Sequence, residues 1–407
     1  MTEKVCGVDV HKDLLVATIL DTQTQTKQTM RYRNSLDNID QLVNWLKQQN
    51  CTRAVMESTS IYWIPLYDAL EAAKIQVTLA NAYQVKAIPG QKPTKPTHEW
   101  LAHLLQADLI KQSYVPPKQL RDLRELTRLR TKCVQARTQN KNRVQKILNR
   151  VNIRLRTVLS DIFGRAGTEL VEGLMAGKTV KTILKNTKNK QLHALSDEVE
   201  AVAQGSLSEN DVFVLEQLIR AIRNVTEQIK QIDKRIATLT DKRVMDVLCS
   251  VPGVGVLAGA TISAELGDPT RFSNCKQVAS WCGFAPSVHQ SAGVTVLGHI
   301  TKRGSKALRW IMVEVAHAAV RTNDRFRGMF NRISVKRGRK VAYVAVARKI
   351  LTIVWHVLCN SEKYVEDGFS KKTVVRVRSS SGGGVLPVSL DALAEVLRNA
   401  GFVVSKG

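Results

Sequence analysis

The order in which extended and helical patterns follow one another limits this chain's fold more than any single motif. Residues 4–10 (KVCGVDV) and 14–20 (LLVATIL) are short apolar runs around a tight turn at His11-Lys12-Asp13, which predicts two paired strands. A third strand fits 27–33 (KQTMRYR), where polar and apolar residues mix. Behind the N-cap residue Ser35, apolar Ile39, Leu42, Val43 and Leu46 fall at helical spacing and predict a helix over 36–49. A buried strand at 53–57 (RAVME), a helix at 62–73, a strand at 75–81 and a helix at 97–112 complete the unit. Three strands followed by alternating helices and strands make a mixed sheet with helices packed on it.

That order is the order of an RNase H-like domain, assigned to residues 1–115. From about residue 117 the pattern changes to long helices. The stretch 118–151 is strongly basic, with Arg121, Arg124, Arg128, Arg130, Lys132, Arg137, Lys141, Arg143 and Lys146 among scattered apolar positions. Further on, Leu215, Leu218, Ile222, Val225, Ile229, Ile232, Ile236 and Leu239 alternate steps of three and four. This apolar seam predicts coiled-coil packing, against the first long helix, against a second copy of the chain, or both. Between the long helices, 160–207 reads as a small helical insert punctuated by Gly164, Gly167, Gly173 and Gly177. The helical region spans 116–245, and a mostly α C-terminal domain follows at 246–362. The remainder, 363–407, contains the basic segment and linker KKTVVRVRSSSGGG and a short helix at 390–399.

Charge narrows the partners. The chain has 61 Lys+Arg against 35 Asp+Glu, a formal net charge of +26. An excess of this size points to a polyanion, because each phosphate neutralised releases a counterion and drives association. The cations are spread along the whole length. No apolar run approaches the roughly 18 residues of a spanning helix and no signal peptide opens the chain, so no membrane partner is expected. Seven scattered cysteines without metal-ligand spacing predict reduced, mostly buried thiols in a cytoplasmic protein, and argue against zinc.

Asp9 lies in the first strand and Glu57 ends the fourth, and the fold brings these strand ends together. Clustered carboxylates are what a pair of Mg²⁺ ions needs to clamp the attacking and leaving oxygens of a phosphodiester. Together with VPPKQLRDLRELTRLR, the PGVG turn and WCGFAP…QSAG…ITKRGSKALRW, the segments GVDVHKD and MESTSIYW closely resemble the IS110 family of insertion-sequence transposases. The resemblance runs to about residue 360. It implies a RuvC-like DEDD domain using Mg²⁺, with Asp9 and Glu57 as metal ligands. In that family two further acids lie three apart at the start of the closing helix. The matching stretch here is KPTKPTHEWLA, which puts Thr94 and Thr97 at the acid positions. A neutral hydroxyl does not replace a carboxylate's charge toward Mg²⁺, so the metal site reads as degenerate. Pro93 and Pro96 disfavour helix ahead of Thr97. His98 reads as a partial substitute or as an ordinary surface or satisfied residue, and Glu99 as pointing elsewhere.

The same resemblance implies that Ser291, in SVHQSAGVTVLG, is the nucleophile that forms a covalent protein–DNA intermediate. Ala292-Gly293 gives a flexible loop around it, and Lys302, Arg303 and Arg309 are candidate phosphate contacts. The segment 248–266 reads as helix, glycine turn, helix, either a plain turn or one that offers backbone N–H groups to phosphate. Lys336, Arg337, Arg339 and Lys340 precede an apolar helix, and Arg121, Arg124, Arg128 and Arg130 line the basic one; all are expected to meet nucleic acid. The resemblance further implies a homo-oligomer, dimer or tetramer, and a structured, bridge-type guide noncoding RNA that selects DNA. Two functions fit: an RNA-guided DNA recombinase, or a cleavage-deficient, RNA-guided DNA-binding protein.

Overall fold

The computed structural model describes residues 4–366 apart from 59, 83, 84, 86, 87, 89–95, 292 and 293, and without the side chains of 289–291 and 294–297. Thr94, the linker and the helix expected at 390–399 lie outside the described residues. The chain divides into two compact units, Met1–Pro116 and Pro117–Gly407.

The first unit contains β1 (Lys4–Val10), β2 (Leu14–Asp21), β3 (Lys27–Arg33), α1 (Leu36–Gln48), β4 (Arg53–Glu57), α2 (Ile64–Ala72), β5 (Gln76–Ala80) and α3 (Thr97–Gln106). These strands form one sheet in the order β3-β2-β1-β4-β5. β1 pairs antiparallel with β2 and parallel with β4, so the sheet is mixed. Val8 and Met56 on one face pack with Leu42, Leu46, Leu66 and Leu70 of α1 and α2. Val5 and Val55 on the other face pack with Leu101, Leu104 and Leu105 of α3. Burial on both faces is why β1 and β4 read as nearly continuous apolar runs.

α3 is shorter than the helix expected over 97–112. It stops at Gln106 because Asp108 takes a left-handed φ of 49° and Leu109 N–H turns back to the Leu104 carbonyl. The chain beyond then runs along β5, where Gln112 bridges Ala80.

The second unit opens with α4 (Lys118–Arg150), followed by α5 (Arg165–Met175), α6 (Val180–Asn186), α7 (Lys190–Ala194) and α8 (Ser196–Val202). α9 (Glu209–Leu239) returns along α4. The pair is antiparallel: Arg150 is ion-paired with Asp211 at one end, Arg130 with Asp233 further along, and Leu123 packs with Ile236 near the other end. Leu215, Ile222, Ile229 and Ile236, every seventh residue, are buried, while Leu218, Val225, Ile232 and Leu239 are half-buried. The apolar seam is therefore filled by the chain's own first long helix. α5 to α8 pack over the end of this pair, with Leu170, Ile183 and Leu192 joining Leu148 and Leu215 in one core.

α10 (Lys242–Cys249), α11 (Val256–Leu266) and α12 (Cys275–Cys282) lead to a two-stranded ribbon, β6 (Pro286–Ser291) and β7 (Val294–Ile300). The backbone on both sides of Ser291 is thus extended, and the Ala292-Gly293 pair expected to give a flexible loop lies outside the described residues. β-branched Val288, Val294, Thr295 and Val296 favour extended backbone on both sides of Ala292-Gly293. α13 (Lys306–Thr322), α14 (Asp324–Arg337) and α15 (Arg339–Asn360) close the unit. Contrary to the expectation that no apolar stretch nears spanning length, α15 is long and apolar enough to cross a membrane. Its Val346, Ile350, Val354 and Val357 are buried against Ile262, Leu308 and Val315, which makes it the central helix of this core. Burial of the thiols is partial: Cys6, Cys51 and Cys282 are buried, while Cys249 and Cys359 are exposed. Burial pushes the Cys51 thiol up to about 11.

Candidate functional site

The parallel register of β1 and β4 places Val8 beside Met56. One step further, Asp9 and Glu57 come side by side on the opposite face, because side chains alternate along a strand. That face is the one α3 covers. Gly7 makes the close approach possible: a Cβ there would lie 2.0 Å from the His98 carbonyl oxygen and 2.6 Å from the Ala102 nitrogen. Only glycine lets α3 sit this deep, and its first turn is thereby brought to the Asp9 end of β1.

What α3 delivers there is Thr97 and His98. His98 Nδ1 lies 2.6 Å from Thr18 Oγ1, on a buried β2 residue directly opposite Gly7. Burial holds the His98 imidazole below its usual pKa, against the opposing pull of the Glu99 and Asp9 carboxylates. Asp9 Oδ2 is 3.2 Å from His11 Nε2. Glu99 turns away, as expected, and is ion-paired with Lys27 at 2.8 Å. His98 is therefore the satisfied residue of the two expectations, half-buried and bonded to Thr18. Thr18 and His11 were not singled out from the sequence, though a polar threonine inside LLVATIL is a visible signal.

These residues do not fit a two-ion centre. Two strand carboxylates adjoin a helix turn that contributes a neutral hydroxyl and an imidazole already bonded to Thr18. Among the described residues no group of three His, Cys, Asp or Glu side chains could hold a metal ion.

In the second unit, Ser291 ends β6 opposite Val294, at the tip of the ribbon. The base of the ribbon is anchored at Gly283, whose left-handed φ of 78° ends α12. Arg309 Nη1 donates to the Cys282 carbonyl at 3.1 Å, and a Cβ on Gly283 would meet that nitrogen at 2.5 Å. The Thr301 and Lys302 amides bond back to the Ala285 and Gly283 carbonyls, which fixes the Lys302-Arg303 turn beside the ribbon. Lys302 and Arg303 are exposed; Arg309 is half-buried and holds the backbone.

The basic face expected on α4 proves different. Arg124 donates two hydrogen bonds to the Ala264 carbonyl, at 3.0 and 2.9 Å. Arg128 forms a two-pronged ion pair with buried Glu265, at 2.6 and 3.0 Å, and Ser305 Oγ donates to the same carboxylate at 2.8 Å. Arg130 pairs with Asp233 at 2.5 Å. These guanidinium groups are committed to α11 and α9 and are not open phosphate contacts, which corrects the expectation. Arg121, three residues before Arg124, is half-buried. Lys336, Arg337, Arg339 and Lys340, around the Gly338 turn between α14 and α15, are exposed.

Comparison with known proteins agrees with both units. A family model described as "Transposase" matches residues 6–153, and one described as "Transposase IS116/IS110/IS902 family" matches 245–331. A probable family 20 transposase of Pseudomonas aeruginosa is 29% identical over 259 residues, 62% of this chain and 68% of the relative. The transposase for insertion sequence element IS1111A of Coxiella burnetii is 32% identical over 148 residues, 35% of this chain and 39% of the relative. A pilin gene-inverting protein of Moraxella bovis is 26% identical over 180 residues, 42% of this chain and 55% of the relative. Both models match in sequence order, and the chain is similar in both parts to the IS116/IS110/IS902 transposases.

Proposed function

We propose that this chain is an insertion-sequence DNA recombinase that cuts and rejoins strands through a seryl–DNA intermediate at Ser291, with a structured noncoding RNA selecting its DNA partners. The observation that carries this reading is the position of Ser291 at the tip of the β6–β7 ribbon, within the stretch matched by the transposase model, with an exposed Lys302-Arg303 turn at the ribbon's other end. The chemistry balances without an energy source. The serine oxygen bonds to a backbone phosphorus, the P–O bond to one deoxyribose breaks, and the freed hydroxyl takes the serine's proton. Attack by a second strand's hydroxyl reverses the step, so one phosphodiester is exchanged for another. Lys302 and Arg303, at the base of the ribbon, are placed to hold backbone phosphates flanking the one that Ser291 attacks.

The net charge of +26 and the exposed cations at Lys336, Arg337, Arg339 and Lys340 support nucleic-acid partners held through their backbones. Work on two DNA partners at once favours a homo-oligomer, dimer or tetramer. The Moraxella bovis relative makes inversion an alternative outcome to transposition.

A second reading is favoured by one observation: α3 brings Thr97 and His98, and no carboxylate, to Asp9 and Glu57. In that reading the chain is a cleavage-deficient, RNA-guided DNA-binding protein. A covalent-adduct assay separates the two. Purified protein with its copurifying RNA is incubated with candidate junction DNA and Mg²⁺ or Mn²⁺, then run on a denaturing gel beside Ser291→Ala. The recombinase reading expects a DNA-linked band that vanishes in the variant. Tight DNA binding with no band, or a band that survives Ser291→Ala, overturns the serine assignment.

A further inference from the structure

We propose that the groove between α4, α5 and α9 takes one unstacked ribonucleotide of a single-stranded RNA segment, stacked on Phe163. The inference rests on the RNA partner proposed above, but on no step of DNA cleavage. The groove encloses about 500 Å³, within the range of small-ligand sites. Its floor is apolar, with Ile162, Val171 and Ile222 all buried. Phe163, half-buried, forms a wall, and the Lys141 ammonium stands 4.6 Å from its ring centroid. The second unit also exposes Phe213 and Trp310, but among the aromatic rings only that of Phe163 lines this groove.

The rim supplies charge of the right sign. Four cations line it. Arg223 is ion-paired with Glu172, and Lys230 with Glu227 at 3.2 Å. Arg137 and Lys141, one helical turn apart on α4, have no carboxylate within ion-pair distance among the described residues. An apolar slot with an aromatic wall and two unmatched cations suits a base with its flanking phosphates. An exposed cation–π contact is weaker than base–aromatic stacking, so the flexible Lys141 side chain moves to the incoming phosphate and frees the ring face. The two rim carboxylates discriminate between sugars. Each still has an open acceptor position and can take a hydrogen bond from the 2′-hydroxyl that RNA has and DNA lacks, whereas both strands offer the same phosphates.

The test uses the full chain with short randomised single-stranded RNA carrying 5-iodouridine, and its DNA counterpart. After irradiation and trypsin, the RNA crosslink is expected on Phe163, in the peptide 157–165. Phe163→Ala should weaken RNA binding about tenfold while Phe163→Tyr retains it. Arg137→Gln, outside any core, should lower the salt slope of binding by about one phosphate contact. Thermal melts confirm that each variant folds. RNA crosslinks confined to other peptides, wild-type affinity in Phe163→Ala with an unchanged slope in Arg137→Gln, or equal capture of DNA at Phe163 each overturns the inference. A seryl–DNA band that is present or absent does not bear on these readouts, so the two readings fail separately.

Discussion

Two carboxylate sites in this molecule are built on opposite principles. Glu265 of α11 is 1% exposed and receives two hydrogen bonds from Arg128 and one from Ser305, with Arg124 3.8 Å away. Asp9 of β1 is 23% exposed, and among the described residues its hydrogen-bonding side-chain partner is His11. A carboxylate has room for about four hydrogen bonds, so Glu265 is close to saturated and Asp9 keeps acceptor capacity. A buried charge must be matched or it destabilises the fold; a charge at a strand end beside a helix terminus is free to meet a ligand. The contrast separates a charge saturated by partners that hold helices together from one that keeps acceptor capacity at a strand end.

The largest effect should come from breaking the saturated site. Replacing Arg124 and Arg128 together by Met strands the Glu265 charge inside the second unit and should cost about 3–5 kcal/mol of unfolding free energy in a denaturant titration. Adding Glu265→Met should recover most of that loss, since an apolar trio leaves no buried charge. A double variant less than about 1 kcal/mol below the parent would mean that water reaches Glu265 and that the contrast with Asp9 is false.

Much of this was legible from sequence, and the failures share a cause. The order of strands and helices followed from periodicity, and the pairing of Asp9 with Glu57 followed from that order. The long seam at 215–239 announced a helical partner without saying which; α4 filled it. The arginines of α4 misled because a basic helix reads the same whether its guanidinium groups face water or a buried acid 137 residues away. Glu265 lies in the apolar run VLAGATISAEL, where an isolated acid needs a partner, and that signal was available. The ribbon around Ser291 was hidden by its Ser-Ala-Gly tip, which reads as loop. His98 could not be placed without knowing that Gly7 lets α3 descend onto β1.

A smaller effect tests that placement. His98→Ala removes a partner from buried Thr18, which keeps Thr29 Oγ1 at 2.8 Å, so the cost should be about 1 kcal/mol. The pH dependence is more telling. The folded-state pKa of His98 is lowered, chiefly by burial, so the unfolded chain binds the proton first as pH falls. Above the unfolded value, about 6.5, the imidazole is neutral in both states and adds no pH dependence. Below it, stability should decline with pH. The parent's melting temperature should therefore fall more than that of His98→Ala between about pH 8 and about pH 5.5. Parallel curves would show His98 to be solvated and α3 less deeply seated than Gly7 permits.

The smallest effect on stability should come at Asp9, and there its sign matters more than its size. Asp9→Asn keeps the shape and leaves one carboxylate where two stood side by side. If Asp9 were a structural acid like Glu265, neutralising it would lower the melting temperature. If it is held beside Glu57 for a ligand, the native fold carries like charges at close range for a functional reason. Neutralisation should then leave unfolding free energy within about 0.5 kcal/mol of the parent, or raise it. A loss of more than about 1 kcal/mol would place Asp9 with Glu265 among the structural acids. The first unit would then keep Glu57 alone at this end of the sheet, and a single strand-end carboxylate does not make a functional face.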